Sequence, residues 1–500
     1  MTTASSLAGN RGNSTLIRFL KMGFSFPTML AGILVFLAVL TARSRFDGSD
    51  LWWQLKMGQV ICATHHIPLA DIFSSTAAHQ PLVPQEWLAE VAIFGAYKVA
   101  GYSGLMLWLC LFIALLLVAG YGLCTLYSGN AKVAFVGAMA LWFFASPAYS
   151  IRPQLIAYLL LIAELALIQL GRTRNPRWFF WLPPLFALWI NLHGSFILGI
   201  VVAAVFLFTS FVSFEIGSLI SRRWNSESRK MFVLAIMLSV AALFINPIGL
   251  RQILYPFDTL LNMHVLLGNV QEWSPLKMSD SAGIALMAVL LSVFLLVALR
   301  ISQLSFDELL LLTLGTWLAV SHLRMLIVFG ILAAPILTRQ LAASWKGYNA
   351  EEDRIAPNAI MIGLSLLVAW FAFPSAQELQ AQVEAQSPVK AVDFLRAHPL
   401  PGVMLNEYDF GGYLIWAMPE HPVFIDGRTD IYEWSGLLGE FGSWAMVATD
   451  PNVLLQKYNV GFCLLARQAP MAHVLPLMPG WKLVYNDGIA VIIARTAPNH

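Results

Sequence analysis

Charge is what this chain has least of. Asp, Glu, Lys and Arg make up 12% of its 500 residues, against roughly 25% in soluble domains. The two signs nearly cancel, leaving a net charge of +2, too little to hold a nucleic-acid backbone. Stripes of Lys and Arg interleaved with aromatics are missing as well, so no nucleic-acid partner is expected. Cysteine is scarce: Cys62, Cys110, Cys124 and Cys463 are the only four, and none stands in a CxxC or other metal-ligand spacing. Cys110 and Cys124 fall in an apolar helix and read as small core residues. Cys62 and Cys463 would face an oxidising compartment, where pairing between them is open but not dictated by sequence. A phosphate-cradling Gly-rich loop and large cytoplasmic domains are lacking, which disfavours a nucleotide-driven cytoplasmic reaction.

What fills the sequence is apolar: 58% of residues are hydrophobic. A membrane-crossing helix needs about 20 mostly apolar residues. About eleven segments qualify, at 23–42, 103–126, 131–147, 153–170, 177–191, 194–217, 229–246, 282–299, 305–321, 324–338 and 358–375. The first is preceded by Arg11, Arg18 and Lys21 and followed by Arg43 and Arg45, without a small-x-small cleavage site. It reads as an uncleaved first span rather than a signal peptide. With the N-terminus inside, about fifteen Lys or Arg fall in the cytoplasmic tail and loops and about eight on the opposite face outside the C-terminal region, as the positive-inside rule requires. The expected location is a bacterial inner membrane, with the N-terminus cytoplasmic.

Three extracytoplasmic segments are long: 43–102, 247–281 and 376–500. The first holds two helix-like stretches, 51–61 and 86–100. The last changes character. Helices are expected at 389–397, 411–418, 435–447 and 451–458, and strands at 403–405, 423–425 and 461–465. A hairpin at 481–485 and 489–494 turns through Asn486-Asp487-Gly488. The expected fold is an α-helical multi-pass membrane bundle over 1–375, with a soluble extracytoplasmic α/β domain over 376–500.

Candidate chemistry gathers on the extracytoplasmic side. Asp47 and Asp50 follow the first span directly, and a carboxylate at a membrane surface can accept a proton or bind a metal. Asp50 (or Ser49) is equally well placed to cap a helix starting at Leu51, beside an interfacial Trp52-Trp53 pair. Glu86 opens a second helix, where the dipole favours an acid. Asp71 reads as a turn residue. Arg152, at the mouth of the fourth span, either snorkels to headgroups or clamps a phosphate. His193 lies in the turn Asn191-Leu192-His193-Gly194. His322 and Arg324 break two apolar spans, where a charge costs about 2.5–3.5 kcal/mol unless it faces protein, water or an anion. Glu272 lies in the second long segment. Asp426-Gly427-Arg428 follows an expected strand, where α/β folds keep ligand-contacting loops, although an Asp–Arg pair explains it as well.

Asp47-x-x-Asp50 after the first span resembles the acidic first loop of the GT-C superfamily of membrane glycosyltransferases. The stretches Asp50-Leu-Trp-Trp-Gln-Leu, Gln85-Glu86-Trp87-Leu88, Arg152-Pro153-Gln154, Asn191-Leu-His-Gly194, Gly411-Gly412-Tyr413-Leu414 and Asp426-Gly427-Arg428 are similar to a bacterial group within it. The resemblance implies transfer of a sugar from a polyprenyl-phosphate carrier to a lipid, glycan or protein acceptor. Asp50 or Asp47 would then be the base and Glu86 a supporting acid. Arg152 and Arg324 would contact the phosphate, with His193, His322 and Glu272 as further substrate contacts. The chain lacks the oligosaccharyltransferase WWDYG signature, so donor, acceptor and metal dependence stay open, a divalent cation included. Rival readings are a lipid or glycan flippase or transporter, an O-antigen-type polymerase or ligase, and a non-catalytic envelope assembly protein. A transporter would carry intramembrane charges and paired repeats, and no such repeat is visible.

Overall fold

The computed structural model describes residues 21–46, 48–262 and 274–496. Each apolar segment contains a helix. Five described helices are long and apolar enough to cross a membrane: Trp87–Ser128, Gln154–Thr173, Ser281–Ala298, Leu323–Ala342 and Ile355–Ala372. Phe26–Ala42, Ala131–Phe144 and Phe196–Ser210 are equally apolar but shorter. Burial sorts them into layers. Leu323–Ala342 is 78% buried within its apolar window and forms the centre, packed by Ala131–Phe144 and Phe306–Ser321. Ser281–Ala298 and Ile355–Ala372 are only 17% and 22% buried, so their Phe294, Trp370 and Phe371 side chains face outward as lipid-facing residues do.

Trp87–Ser128 bends at Ala100 and Gly101, where Gly101 takes a φ of +56° that favours glycine. The bend separates a polar-flanked stretch on the first loop from the apolar helix that enters the bundle. The helices therefore have two ends. One carries the first loop and the turns at Arg152, His193 and Arg324; the other carries the turns at Arg172, Asp307 and Arg339.

At the second, far end, Ser305 and Glu308 form a capping box on Phe306–Ser321. Glu308 also pairs with Arg339, and Asp307 with Arg172 at 2.9 Å. A small sheet lies here: Phe214–Ile216 runs antiparallel to Leu219–Ser221, which pairs in parallel with Leu304–Ser305. This corrects the expected 194–217 span, whose helix stops at Ser210. The next residues turn into a hairpin at Gly217, whose φ is +60°.

The C-terminal part is a four-stranded sheet in the order Val403–Asn406, Val460–Ala466, Ala490–Arg495, Trp481–Asn486, with helices around it. The first pair is parallel and the others antiparallel. Residues 423–425 are not one of its strands, contrary to the sequence expectation. Their backbone is taken elsewhere: Val423 N–H donates to Phe73 of the first loop at 3.0 Å, and the Asn406 side chain binds Phe424 N–H and the Ile425 carbonyl at 2.7 Å each. Two apolar cores result. One runs from the bundle into the C-terminal part through Phe410, Leu414 and Ile492. The other joins Met57, Ile61 and Leu82 of the first loop to Phe424, Leu454 and Ile493. All four cysteines are free, with Cys62 exposed and Cys463 buried, so the pairing left open by the sequence is not made.

Candidate functional site

The helix Ser49–Thr64 positions the first carboxylate. Gly48 is its N-cap and no side chain caps it. Asp50 sits inside the first turn, so its expected capping role is not what it does. Its Oδ1 accepts from Trp53 Nε1 at 3.2 Å, and its Oδ2 lies 3.1 Å from an Arg152 guanidinium nitrogen. Both side chains are about one-fifth exposed, at 23% and 18%. The ion pair is therefore neither sealed in the interior nor fully hydrated, a setting in which either charge can be handed to an incoming partner.

Gln54 lies one helical turn beyond Asp50, on the same face. Its Nε2 donates to Glu86 Oε2 at 3.0 Å. Glu86 is the residue before Trp87–Ser128 and makes no capping bond with its side chain. Its other oxygen is 3.2 Å from His193 Nε2. His193 Nδ1 accepts the Ser195 N–H at 3.0 Å. A neutral imidazole has one N–H, so the proton sits on Nε2 and is donated to Glu86. Burial, with Arg324 nearby, lowers His193 to about 3, which keeps the ring neutral. Burial raises Glu86 to about 7, offset by Arg324 and Arg152 and reinforced by Asp50. The contact is thus a neutral histidine donating to a carboxyl poised near neutrality, not an imidazolium–carboxylate pair. The remaining contacts fix the turns: Trp87 Nε1 donates to Asn191 Oδ1 at 3.0 Å, and Asn191 Nδ2 to the Ile245 carbonyl at 2.8 Å.

The C-terminal part roofs this end. Gly412 packs on the Ser49 carbonyl and Gly427 on Asp50 Oδ1, each so closely that a methyl group would overlap. Arg428 is buried and pairs with Asp426 at 2.6 Å and with Asp71 of the first loop. Asp71 also fixes its own turn, accepting the Ser74 N–H at 3.0 Å. Tyr255, from the helix Leu250–Asn262, donates to Asp430 at 2.7 Å. The Gly-Gly and Asp-Gly-Arg motifs therefore serve docking, with Gly427 in contact with the site itself.

A cavity of about 400 Å³ opens beside Asp50, with Ser49, Leu51 and Arg152 in its walls. Of the residues singled out in sequence, Asp50, Glu86, Arg152, His193 and Arg324 come together, in two pairs with Arg324 close enough to act on Glu86 and His193. His322 caps Phe306–Ser321 on the same turn as Arg324. Asp47 and Glu272 lie outside the described residues. Among the described residues no group of three His, Cys, Asp or Glu could hold a metal ion. Trp53, Gln54 and Gly427 stand in stretches singled out in sequence, which gave none of them individually a contact with the site acids. The spacing Asp50, Trp53, Gln54 at i, i+3 and i+4 was the available signal for the first two; the contact of Gly427 is long-range and left none.

No family model matches the chain, and no curated protein matches it in sequence. Its fold, however, is shared with the solved structures of an archaeal oligosaccharyltransferase and of ArnT. The oligosaccharyltransferase of Archaeoglobus fulgidus, tethered to an acceptor peptide, aligns at TM-score 0.53 and 12% identity over 89% of this chain and 70% of its own. The same archaeal enzyme, AglB, in complex with an inhibitory peptide and a dolichol-phosphate, aligns at 0.51 and 11% over 88% and 69%. ArnT from Cupriavidus metallidurans, bound to undecaprenyl phosphate, aligns at 0.51 and 14% over 93% and 97%.

Proposed function

We propose that this chain is a glycosyltransferase that moves a sugar from a polyprenyl-phosphate carrier to an acceptor at the extracytoplasmic face of a bacterial inner membrane. The observation that carries the reading is the partly exposed Asp50–Arg152 pair, 3.1 Å apart, whose arginine lines a 400 Å³ cavity. Transfer needs a base for the acceptor hydroxyl and positive charge for the leaving phosphate. The pair supplies both. The acceptor oxygen attacks the anomeric carbon, and its proton passes to Asp50. The carbon–oxygen bond to phosphate breaks, and its electrons leave with the phosphate oxygen. Arg152 shifts its contact from Asp50 to the phosphate, which frees the carboxylate as the donor arrives.

Glu86, held by Gln54 and His193, supports the base from beneath, and Arg324 balances its charge. In this reading His322 is a substrate contact, the soluble domain begins near 376, and about eleven helices span the membrane with the N-terminus cytoplasmic. Support from likeness is of one kind: AglB has been seen with a dolichol-phosphate and ArnT with undecaprenyl phosphate, on the same fold. The sugar, its hexose or pentose character, and the lipid, glycan or protein acceptor belong to this proposal only as classes.

The test uses purified full-length protein with a panel of undecaprenyl-phosphate-linked sugars. Consumption of at least one donor, with release of undecaprenyl phosphate, is expected. Turnover of diphosphate-linked donors alone would favour a polymerase or ligase. Translocation of intact lipid without bond cleavage would favour a flippase.

A further inference from the structure

The cavity beside Asp50 has two walls of opposite character. Arg45 and Arg152 line it from the bundle side, at the turns after the first helix and before Gln154–Thr173. Gln386, Ser387 and Asp409 line it from the C-terminal part. Asp409 lies in the first turn of Tyr408–Ala417, the helix that Gly412 seats on the Ser49 carbonyl. That seating fixes the carboxylate relative to the two arginines. Burial, and then the charge of Asp50, pushes the Asp409 carboxyl up.

Two guanidiniums on one wall suit a phosphate. A carboxylate on the facing wall opposes one, and needs a reason. Glycosyl transfer at Asp50 and Arg152 gives it, and the role of Asp409 rests on that reading of the site. The donor is a phosphodiester with a single negative charge. The product left behind is a phosphomonoester, which carries about −1.5 to −2 near neutral pH. Arginines alone would hold the product more tightly than the donor. A fixed carboxylate repels the product up to about twice as strongly, since the Coulomb energy scales with charge.

We propose that this cavity is the phosphate site, that Arg45 is its second guanidinium beside Arg152, and that Asp409 is the counter-charge through which the C-terminal part loosens the spent carrier. The C-terminal part then helps to set the rate of product release, beyond roofing the site.

The experiment measures binding to full-length protein in detergent, read by tryptophan fluorescence, since Trp52 lines the cavity. The probes are undecaprenyl phosphate, its monomethyl ester as a singly charged diester, undecaprenol and inorganic phosphate. Arg45→Gln is expected to weaken both esters by about tenfold, and Arg45→Lys by less, because a point charge keeps part of the contact. Asp409→Asn is expected to tighten undecaprenyl phosphate by about threefold or more, and its methyl ester by less. Arg43→Gln, at an exposed pair with Glu378, serves as a control and should bind as wild type. Wild-type affinity in Arg45→Gln would overturn the proposal, as would Asp409→Asn binding unchanged, weakened, or tightened equally for both esters. Undecaprenol binding as tightly as the phosphate would exclude a phosphate site. Inorganic phosphate binding as tightly as the lipid would assign the cavity to a free anion and remove the leaving-group role. Failure of the transferase reading would be seen separately, as binding of the kind described with no cleavage of any sugar donor.

Discussion

The two ends of the helical bundle are built from the same ingredients and use them differently. At the far end, Glu308 is buried, closes a capping box, and is gripped by Arg339, which also donates to the Gln303 carbonyl at 2.7 Å. Arg172 and Asp307 join one further helix, Gln154–Thr173, to Phe306–Ser321 there. Each charge is used up within the fold. At the site end, Asp50 and Arg152 meet beside a cavity, and burial lifts Glu86 to about 7 next to a neutral histidine. The difference is one of access and poise, since the residue types are the same. Ion pairs that serve stability are tied down by backbone contacts; those placed for chemistry stay able to change partner.

Substitutions at the two ends should therefore separate activity from stability. Among substitutions that leave the reacting pair in place, the largest effect is expected from Gly427→Ala, because a methyl group there overlaps Asp50 Oδ1. Displacing a reacting carboxylate by about 1 Å costs roughly a hundredfold in rate, and turnover of a lipid-linked sugar should fall by that order. At the far end, Arg339→Ala should leave the rate per folded molecule unchanged. It should lower unfolding stability by about 2 kcal/mol, because it strands buried Glu308; the value is reduced from that of a fully buried pair since Arg339 is 34% exposed. A rate defect in Arg339→Ala without a stability defect would break the contrast.

Glu86→Gln sharpens it through pH. The folded chain keeps the Glu86 proton up to about 7 rather than 4.5, so this group's stabilisation is present below 4.5 and lost as pH rises through about 7. His193 acts in the opposite sense: its pKa is lowered from 6.5 to about 3, so its stabilisation is present above 6.5 and lost as pH falls towards 3. Between 4.5 and 6.5 the contributions of these two groups oppose each other. Glu86→Gln removes the Glu86 contribution, so stability relative to wild type should rise with pH in that window by up to about 1.4 kcal/mol per unit. Thermal melting across this range reads it directly. The smallest effect is expected from Trp53→Phe, which removes the indole hydrogen bond to Asp50. A net loss of about 1 kcal/mol, or roughly fivefold in rate, should appear with no change in melting temperature.

Much of this arrangement was legible in the sequence, and the physical reasons divide cleanly. Apolar periodicity and length reveal the helices, and basic residues predict an orientation for the turns. Asp50, Glu86, Arg152, His193 and Arg324 stood out because a charge or imidazole beside an apolar run is costly and so demands a partner. The Asn486-Asp487-Gly488 hairpin was readable from turn chemistry, and forms between Trp481–Asn486 and Ala490–Arg495. What sequence could not supply was pairing across long separations. Asp50 meets Arg152, and Arg428 reaches back to Asp71. The same holds for residues 423–425, which satisfied every local strand signal. Their backbone went instead to the first loop and to the Asn406 side chain. Capping was one of two roles open to Asp50 in the sequence; the helix begins two residues earlier, at Ser49 rather than Leu51, so Gly48 takes the N-cap.

The most direct measurement is on Asp50→Asn, with transfer from an undecaprenyl-phosphate-linked sugar and the melting temperature recorded on the same preparation. Loss of the base should lower the rate by about a hundredfold or more while the fold melts within a few degrees of wild type. Transfer at the wild-type rate would contradict a catalytic Asp50. A collapse in melting temperature would instead make the Asp50–Arg152 pair a structural staple, like those at the far end.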